Sequence, residues 1–208
     1  HYSGGTPTEA IGDYVDLCGP VRIVAVRGTH RKRNGYSYFP VDYYSLPADR
    51  QLDIARRTVS EIALVLRSLA AAHGVKPVVT GISQGGDIAF LTAVYHPDLV
   101  SAAFPFAATV PPGIAGHVNP RGGPPVFMYQ GEADPIEDIT TTRRRLAGID
   151  QRMPVQLETF PGLGHDISPA MRASYTKMLD SVLSSRRRGG RRLAREQASP
   201  DPRGRDRL

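Results

Sequence analysis

Gly81-Ile82-Ser83-Gln84-Gly85 stands between two segments of different character. Upstream, residues 75–80 read as a short strand with Val78 and Val79 at its heart. Downstream, residues 86–96 (Gly-Asp-Ile-Ala-Phe-Leu-Thr-Ala-Val-Tyr-His) read as an apolar helix closed by Pro97. A serine on the tight turn between strand and helix points its hydroxyl into open space. The flanking glycines are needed because a side chain at either position would strike the neighbouring strand or helix. The helix that follows aims its first amides at whatever sits over the serine, which suits a developing oxyanion. The same five residues can also be a plain strand-to-helix turn, so the rest of the chain must supply the serine's partners.

A serine hydroxyl is a weak nucleophile at neutral pH and needs a base, which needs an orienting acid. Around a turn of this kind they follow in the order serine, acid, histidine. Residues 125–130 read as a strand, and Gly131-Glu132-Ala133-Asp134-Pro135 is the turn after it. Residues 155–160 alternate apolar and polar side chains as the next strand, followed by the loop Pro161-Gly162-Leu163-Gly164-His165-Asp166. Strand ends on one edge of a parallel sheet converge, so Ser83, Asp134 and His165 can meet. Asp134 competes with Glu132, which is still turning out of the strand, and with Asp138, placed to favour a helix start. His165 competes with five others: His1, His30, His73, His96 and His117. His73 and His96 sit at helix ends, His30 in a basic loop and His117 in a Gly/Pro-rich one. Only His165 follows a strand after the acid.

An oxyanion needs two donors. The backbone N–H of Gln84 is one, and the loop His1-Tyr2-Ser3-Gly4-Gly5-Thr6-Pro7 is expected to bring the other from Tyr2 or Ser3. Thr6, Pro7 and Glu9 form a capping box that starts a helix there. Asp87, just inside the elbow helix, reads as a favourable first-turn charge.

These stretches resemble the phospholipase/carboxylesterase branch of the α/β-hydrolase superfamily, which includes acyl-protein thioesterases. Gly81-Ile82-Ser83-Gln84-Gly85-Gly86 is similar to that family's G-F-S-Q-G-G corner. Gly131 to Ile136 is similar to its acid loop, and Gly162 to Ile167 to its histidine loop. Arg27-Gly28 and Gly35-Tyr36-Ser37-Tyr38-Phe39-Pro40 look like the segment that lines its acyl pocket, which implies substrate contacts for Tyr36, Tyr38 and Phe39. The aromatic residues there can equally pack a long loop onto the body. The family opens its oxyanion loop His-Gly where this chain reads His1-Tyr2. The resemblance implies an α/β-hydrolase fold and a serine hydrolase that needs no cofactor. The substrate implied is a small carboxylic ester or thioester. An amide or lactone hydrolase on the same residues, or a binding protein on the same scaffold, are the alternatives.

The 208 residues suffice for one α/β domain, expected over 1–185, with a mostly parallel sheet covered by helices on both faces. Expected helices span about 7–17, 49–73, 86–96, 137–149 and 169–184. Expected strands span 21–26, 76–80, 99–107, 125–130 and 154–160, with a long aromatic loop at 27–48. In helix 49–73, Ile54, Val59, Ile62, Leu66 and Leu69 recur at three- and four-residue steps, and Asp49 is placed to cap it. The strand expected before His1 is missing, so the domain is read as N-terminally incomplete.

The single cysteine, Cys18, excludes an intramolecular disulfide, and no Cys or His spacing suggests a metal site. No stretch approaches a membrane span, and the cytoplasm is the expected compartment. The net charge of +6 lies wholly in residues 186–208, where nine arginines face Glu196, Asp201 and Asp206. This Arg-rich tail is expected to be disordered. It could meet nucleic acid or an anionic membrane, but nothing aromatic is interleaved for base stacking, so a solvated tail is the simpler reading.

Overall fold

Four parallel strands position everything that follows. The computed structural model describes residues 1–12, 21–149 and 151–198. Cys18 and the end of the helix expected over 7–17 lie outside them. Helix α1 (Pro7–Gly12) opens the chain, and strands β1 (His30–Lys32) and β2 (Gly35–Ser37) form a short antiparallel hairpin. Then come α2 (Ala48–His73), β3 (Val78–Ile82), α3 (Gln84–Tyr95) and β4 (Ala102–Phe106). The order continues with β5 (Val126–Gly131), α4 (Ile139–Leu146), β6 (Val155–Phe160) and α5 (Pro169–Ala198). The main sheet runs β3-β4-β5-β6, all parallel, so the carboxyl ends of its strands share one edge.

Successive residues of a strand face opposite sides, and the core divides accordingly. Ala103, Val126 and Met128 face a cluster with Val59, Ile62 and Leu66 of α2 and Leu91 and Val94 of α3. Phe104, Phe106 and Tyr129 face the other way, onto Met171, Tyr175 and Leu179 of α5. Helices therefore cover both faces, as expected. The α2 period gives its buried stripe of Ala55, Val59, Ile62, Ala63 and Leu66. Its start differs: Pro47 occupies the N-cap and Asp49 lies in the first turn. Gly74, left-handed at φ 64°, ends the helix by donating to the Ala70 carbonyl at 2.8 Å.

Three expectations are corrected. Residues 21–26 form no strand, because a strand exists only through a hydrogen-bonded neighbour and none is paired to them. Together with β3 they line an apolar cavity of about 640 Å³, to which Ile62, Leu66, Ile88, Tyr175, Leu179 and Leu183 also contribute. The stretch read as a long aromatic loop contains the β1–β2 hairpin, whose two-residue turn carries Arg33 at φ 54°. Finally, α5 is assigned through Ala198, beyond the end expected at 184. A helix already nucleated on the buried Met171, Tyr175 and Leu179 adds residues without repeating the cost of nucleation, and Arg, Ala, Glu and Gln favour its continuation while Gly189 and Gly190 oppose it. Residues 199–208 of the tail lie outside the described residues.

Candidate active site

The corner between β3 and α3 is built by close backbone contact. A Cβ on Gly81 would come within 2.2 Å of the Gly85 carbonyl oxygen, and one on Gly85 within 2.7 Å of the His1 carbonyl oxygen. Ser83 occupies the turn at φ 54° and ψ −120°, a conformation rarely adopted by a side-chain-bearing residue. Its N–H donates to the Phe106 carbonyl at 2.8 Å, which anchors the corner to β4.

The structure brings Ser83, His165 and Asp134 together. His165 Nε2 lies 2.9 Å from Ser83 Oγ, and His165 Nδ1 lies 2.7 Å from Asp134 Oδ2. The Asp134 side chain is fully buried, while 19% of the His165 side chain reaches solvent. Asp134 Oδ1 accepts the backbone N–H groups of Ile136 at 2.8 Å and Glu137 at 3.1 Å. Every oxygen of this carboxylate is thus committed, which fixes the ring it faces. The histidine loop leans on the acid turn: Ala133 N–H donates to the Leu163 carbonyl, and a Cβ on Gly131 would meet that carbonyl oxygen at 2.2 Å.

The competing residues are engaged elsewhere. Glu132 accepts from the Thr159 hydroxyl at 2.7 Å and pairs with Arg143. Asp138 caps α4, accepting Thr141 N–H at 2.7 Å, and those bonds hold its carboxyl below the usual range. His73 ends α2 beside Arg22, while His96 follows α3 against Ser60, its imidazole lowered by burial and Arg67. His30 is exposed on β1, and His117 meets the Tyr95 ring edge-on.

The first loop packs directly on the corner. His1 is buried, its Nε2 accepts Gly28 N–H at 3.1 Å and its Nδ1 lies 2.8 Å from the Tyr2 carbonyl. Gly4 and Gly5 exchange backbone bonds with Tyr36, and Lys32 Nζ donates to Ser3 Oγ at 2.8 Å. His1 is thus the residue of this loop that meets the corner at Gly85, and Tyr2 and Ser3 follow it towards the hairpin. The capping box forms as read: Glu9 N–H donates to Thr6 Oγ1, and Thr6 N–H donates to Glu9.

The aromatic residues divide. Tyr36 lies partly exposed, with the Arg27 guanidinium 4.7 Å and that of Arg31 5.2 Å from its ring centre. Tyr38 is buried, stacked on His1, and its hydroxyl donates to the Val26 carbonyl at 2.7 Å. Phe39 has no exposed surface and stacks on Tyr43 within the core. It forms no pocket wall, and the loop-packing reading holds for it.

Sequence reasoning missed the part played by two side chains. Gln84 Oε1 accepts Tyr38 N–H at 2.7 Å and the Ser37 hydroxyl at 3.0 Å, tying the aromatic segment to the residue after Ser83. Asp87 lies in the first turn of α3 as read, but it is buried. It is 2% exposed, takes a 2.6 Å bond from the Tyr44 hydroxyl and a 2.7 Å bond from Thr109 N–H, and burial pushes its carboxyl up to about 7. The available signal was one charged residue in an otherwise uncharged helix. Among the described residues no group of His, Cys, Asp or Glu is arranged to hold a metal, and no helix is long and apolar enough to cross a membrane.

The model of the dienelactone hydrolase family matches residues 47–181, well over half of the chain. The chain belongs to that family. Members of it are hydrolases of the α/β-hydrolase clan, in agreement with the superfamily resemblance read from the motifs. Solved structures share the fold at low identity. The Bacillus cereus carboxylesterase is 17% identical over 88% of this chain and 85% of its own, with a TM-score of 0.74. YahD, solved with malic acid, is 15% identical over 88% and 90%, with a TM-score of 0.70. Esterase PE8 is 22% identical over 75% and 76%, with a TM-score of 0.64. Among curated proteins none matches the chain.

Proposed function

We propose that this hydrolase cleaves carboxylic esters or thioesters through an acyl-enzyme on Ser83, with no cofactor. The observation that carries the reading is the continuous line from Ser83 Oγ through His165 to the buried Asp134, at 2.9 and 2.7 Å. His165 Nε2 takes the hydroxyl proton as Ser83 Oγ attacks the carbonyl carbon. Asp134 keeps the other ring nitrogen protonated and stabilises the imidazolium. Gln84 N–H and an N–H of Tyr2 or Ser3 receive the negative oxygen of the tetrahedral intermediate. His165 then gives its proton to the leaving alcohol or thiol. Water, deprotonated by the same nitrogen, releases the acid and restores Ser83.

The family's name supports a second reading in which the ester is cyclic, a lactone. The same steps open such a ring, and the leaving alcohol then stays attached to the acyl group. Cytoplasmic residence is the compartment we propose.

The test is labelling by a fluorophosphonate probe, wild type beside Ser83→Ala, followed by hydrolysis of nitrophenyl esters, a thioester and a simple lactone. Labelling confined to the wild type supports the acyl-enzyme, and the preferred substrate separates open-chain from cyclic esters. Absence of labelling in folded wild type overturns the reading.

A further inference from the structure

We propose that Asp87 and Glu137, joined through Thr109, are positioning residues for the reaction of Ser83: they fix the acid turn and set the charge that His165 experiences. The inference rests on the acyl-enzyme reading above.

Three loops at the carboxyl edge of the sheet meet in one partly buried chain of hydrogen bonds, with Asp87 buried at its centre. From the aromatic segment, the Tyr44 hydroxyl donates to Asp87 Oδ2. From the loop after β4, Thr109 N–H donates to Asp87 Oδ1, and the Thr109 hydroxyl donates to Glu137 Oε1. On the acid turn, Glu137 N–H donates to Asp134 Oδ1, and the Glu137 carbonyl accepts from Gln130 Nε2 at 2.5 Å. Thr109 thus touches one carboxyl group through its backbone and the other through its side chain. Glu137, whose side chain it holds, supplies an amide to the carboxylate that orients His165. A shift of the β4 loop is passed to Asp134 without passing through Ser83.

The same geometry couples charge. Two carboxyl groups held by one threonine, Asp87 buried and Glu137 partly so, oppose each other's ionisation. Burial raises Asp87, with Tyr44, Tyr43 and Glu137 as the titratable groups that face it. Burial also raises Glu137, which faces Asp134, Arg145 and His165 as well as the Thr109 hydroxyl. Each is therefore harder to ionise than an exposed acid, and Asp134 stands between Glu137 and the imidazole. Ionisation of Glu137 adds a second negative charge behind it and favours the imidazolium.

The experiment is the pH dependence of kcat/KM on p-nitrophenyl acetate for wild type, Glu137→Gln, Thr109→Val and Thr109→Ser. Glu137→Gln removes a negative charge near the base, so the midpoint of the acid limb moves to lower pH, by roughly half a unit. Thr109→Val removes the hydroxyl with little change of shape. It lowers kcat by about tenfold, and Thr109→Ser restores it. An acid limb that stays in place in Glu137→Gln, or equal activity of the Val and Ser variants, overturns the inference and leaves the acyl-enzyme intact. Ser83→Ala is the control: hydrolysis that survives it overturns both. Should Glu137→Gln fail to fold, the comparison of Val with Ser at residue 109 decides alone.

Discussion

The side-chain carbonyl of Gln84 takes the backbone N–H of Tyr38 at 2.7 Å, so the residue after Ser83 holds the aromatic segment by its main chain. The donor is buried and has no route to water. Gln84→Ala leaves it unsatisfied and is expected to cost about 1–3 kcal/mol of stability. Gln84→Glu keeps an acceptor in place but buries an ionised carboxylate, and is expected to cost more than Gln84→Ala at pH 8. Urea unfolding of the three proteins checks the order, and equal losses would assign the bond no energetic role.

Asp134 fixes the ring of His165 through two fully used carboxylate oxygens. Asp134→Asn keeps the shape but allows an amide to face Nδ1, which favours the wrong tautomer. Turnover of a nitrophenyl ester is expected to fall by about 10⁴-fold, with the unfolding midpoint changed far less than the rate. Activity within tenfold of wild type would remove Asp134 from the reaction.

Asp87 gives the stability a definite pH dependence. Its carboxyl moves from the ordinary 3.8 to about 7 in the fold, so between those values the folded protein keeps a proton that the unfolded chain has released. Stability from this group is therefore greatest below about pH 4, falls as pH rises to about 7 and is flat above. The full excursion is on the order of 4 kcal/mol. Asp87→Asn removes it, so the variant is expected to gain on the wild type between pH 5 and pH 8. Unfolding free energies at the two values test this. A constant difference between the proteins would show that Asp87 does not titrate there.

Gly131 ends β5 where the histidine loop crosses it. A methyl group at this position would fall 2.2 Å from the Leu163 carbonyl oxygen and 2.4 Å from that of Gly164. Both are backbone atoms on the approach to His165, and neither can rotate aside. Gly131→Ala is expected to lower the thermal midpoint by several degrees and to reduce turnover by more than tenfold, as His165 is carried away from Ser83. Unchanged turnover would mean that the loop relaxes without moving the imidazole.

The parts of this fold legible in the sequence are those specified by neighbours along the chain. The β3 strand, the corner and α3 followed from two glycines and a change of period, and the α1 cap from Thr6 and Glu9. The joining of Ser83, Asp134 and His165 followed from chain order and a parallel sheet. What failed depends on partners distant in sequence. Residues 21–26 have the composition of a strand, but hydrogen bonds are made with a neighbour, and composition cannot supply one. Phe39 looks the same whether it faces a pocket or Tyr43. Asp87 reads as a first-turn charge until Tyr44 and Thr109, 43 and 22 residues away, are seen to close over it. The end of α5 beyond 184 carries no apolar period to mark it, because its continuation rests on backbone propensity and not on burial.

The backbone of Ser83 at φ 54° and ψ −120° has a consequence for how this molecule tolerates change. A residue with a Cβ is strained in that region, and glycine is not. Ser83→Gly is therefore expected to fold more tightly than the wild type while losing the hydroxyl proposed here as the nucleophile. If Ser83 is the nucleophile proposed above, selection for thermal stability alone would favour erasing it, and selection for turnover must preserve a turn that works against the fold. At this one position the durable protein and the useful protein are different sequences.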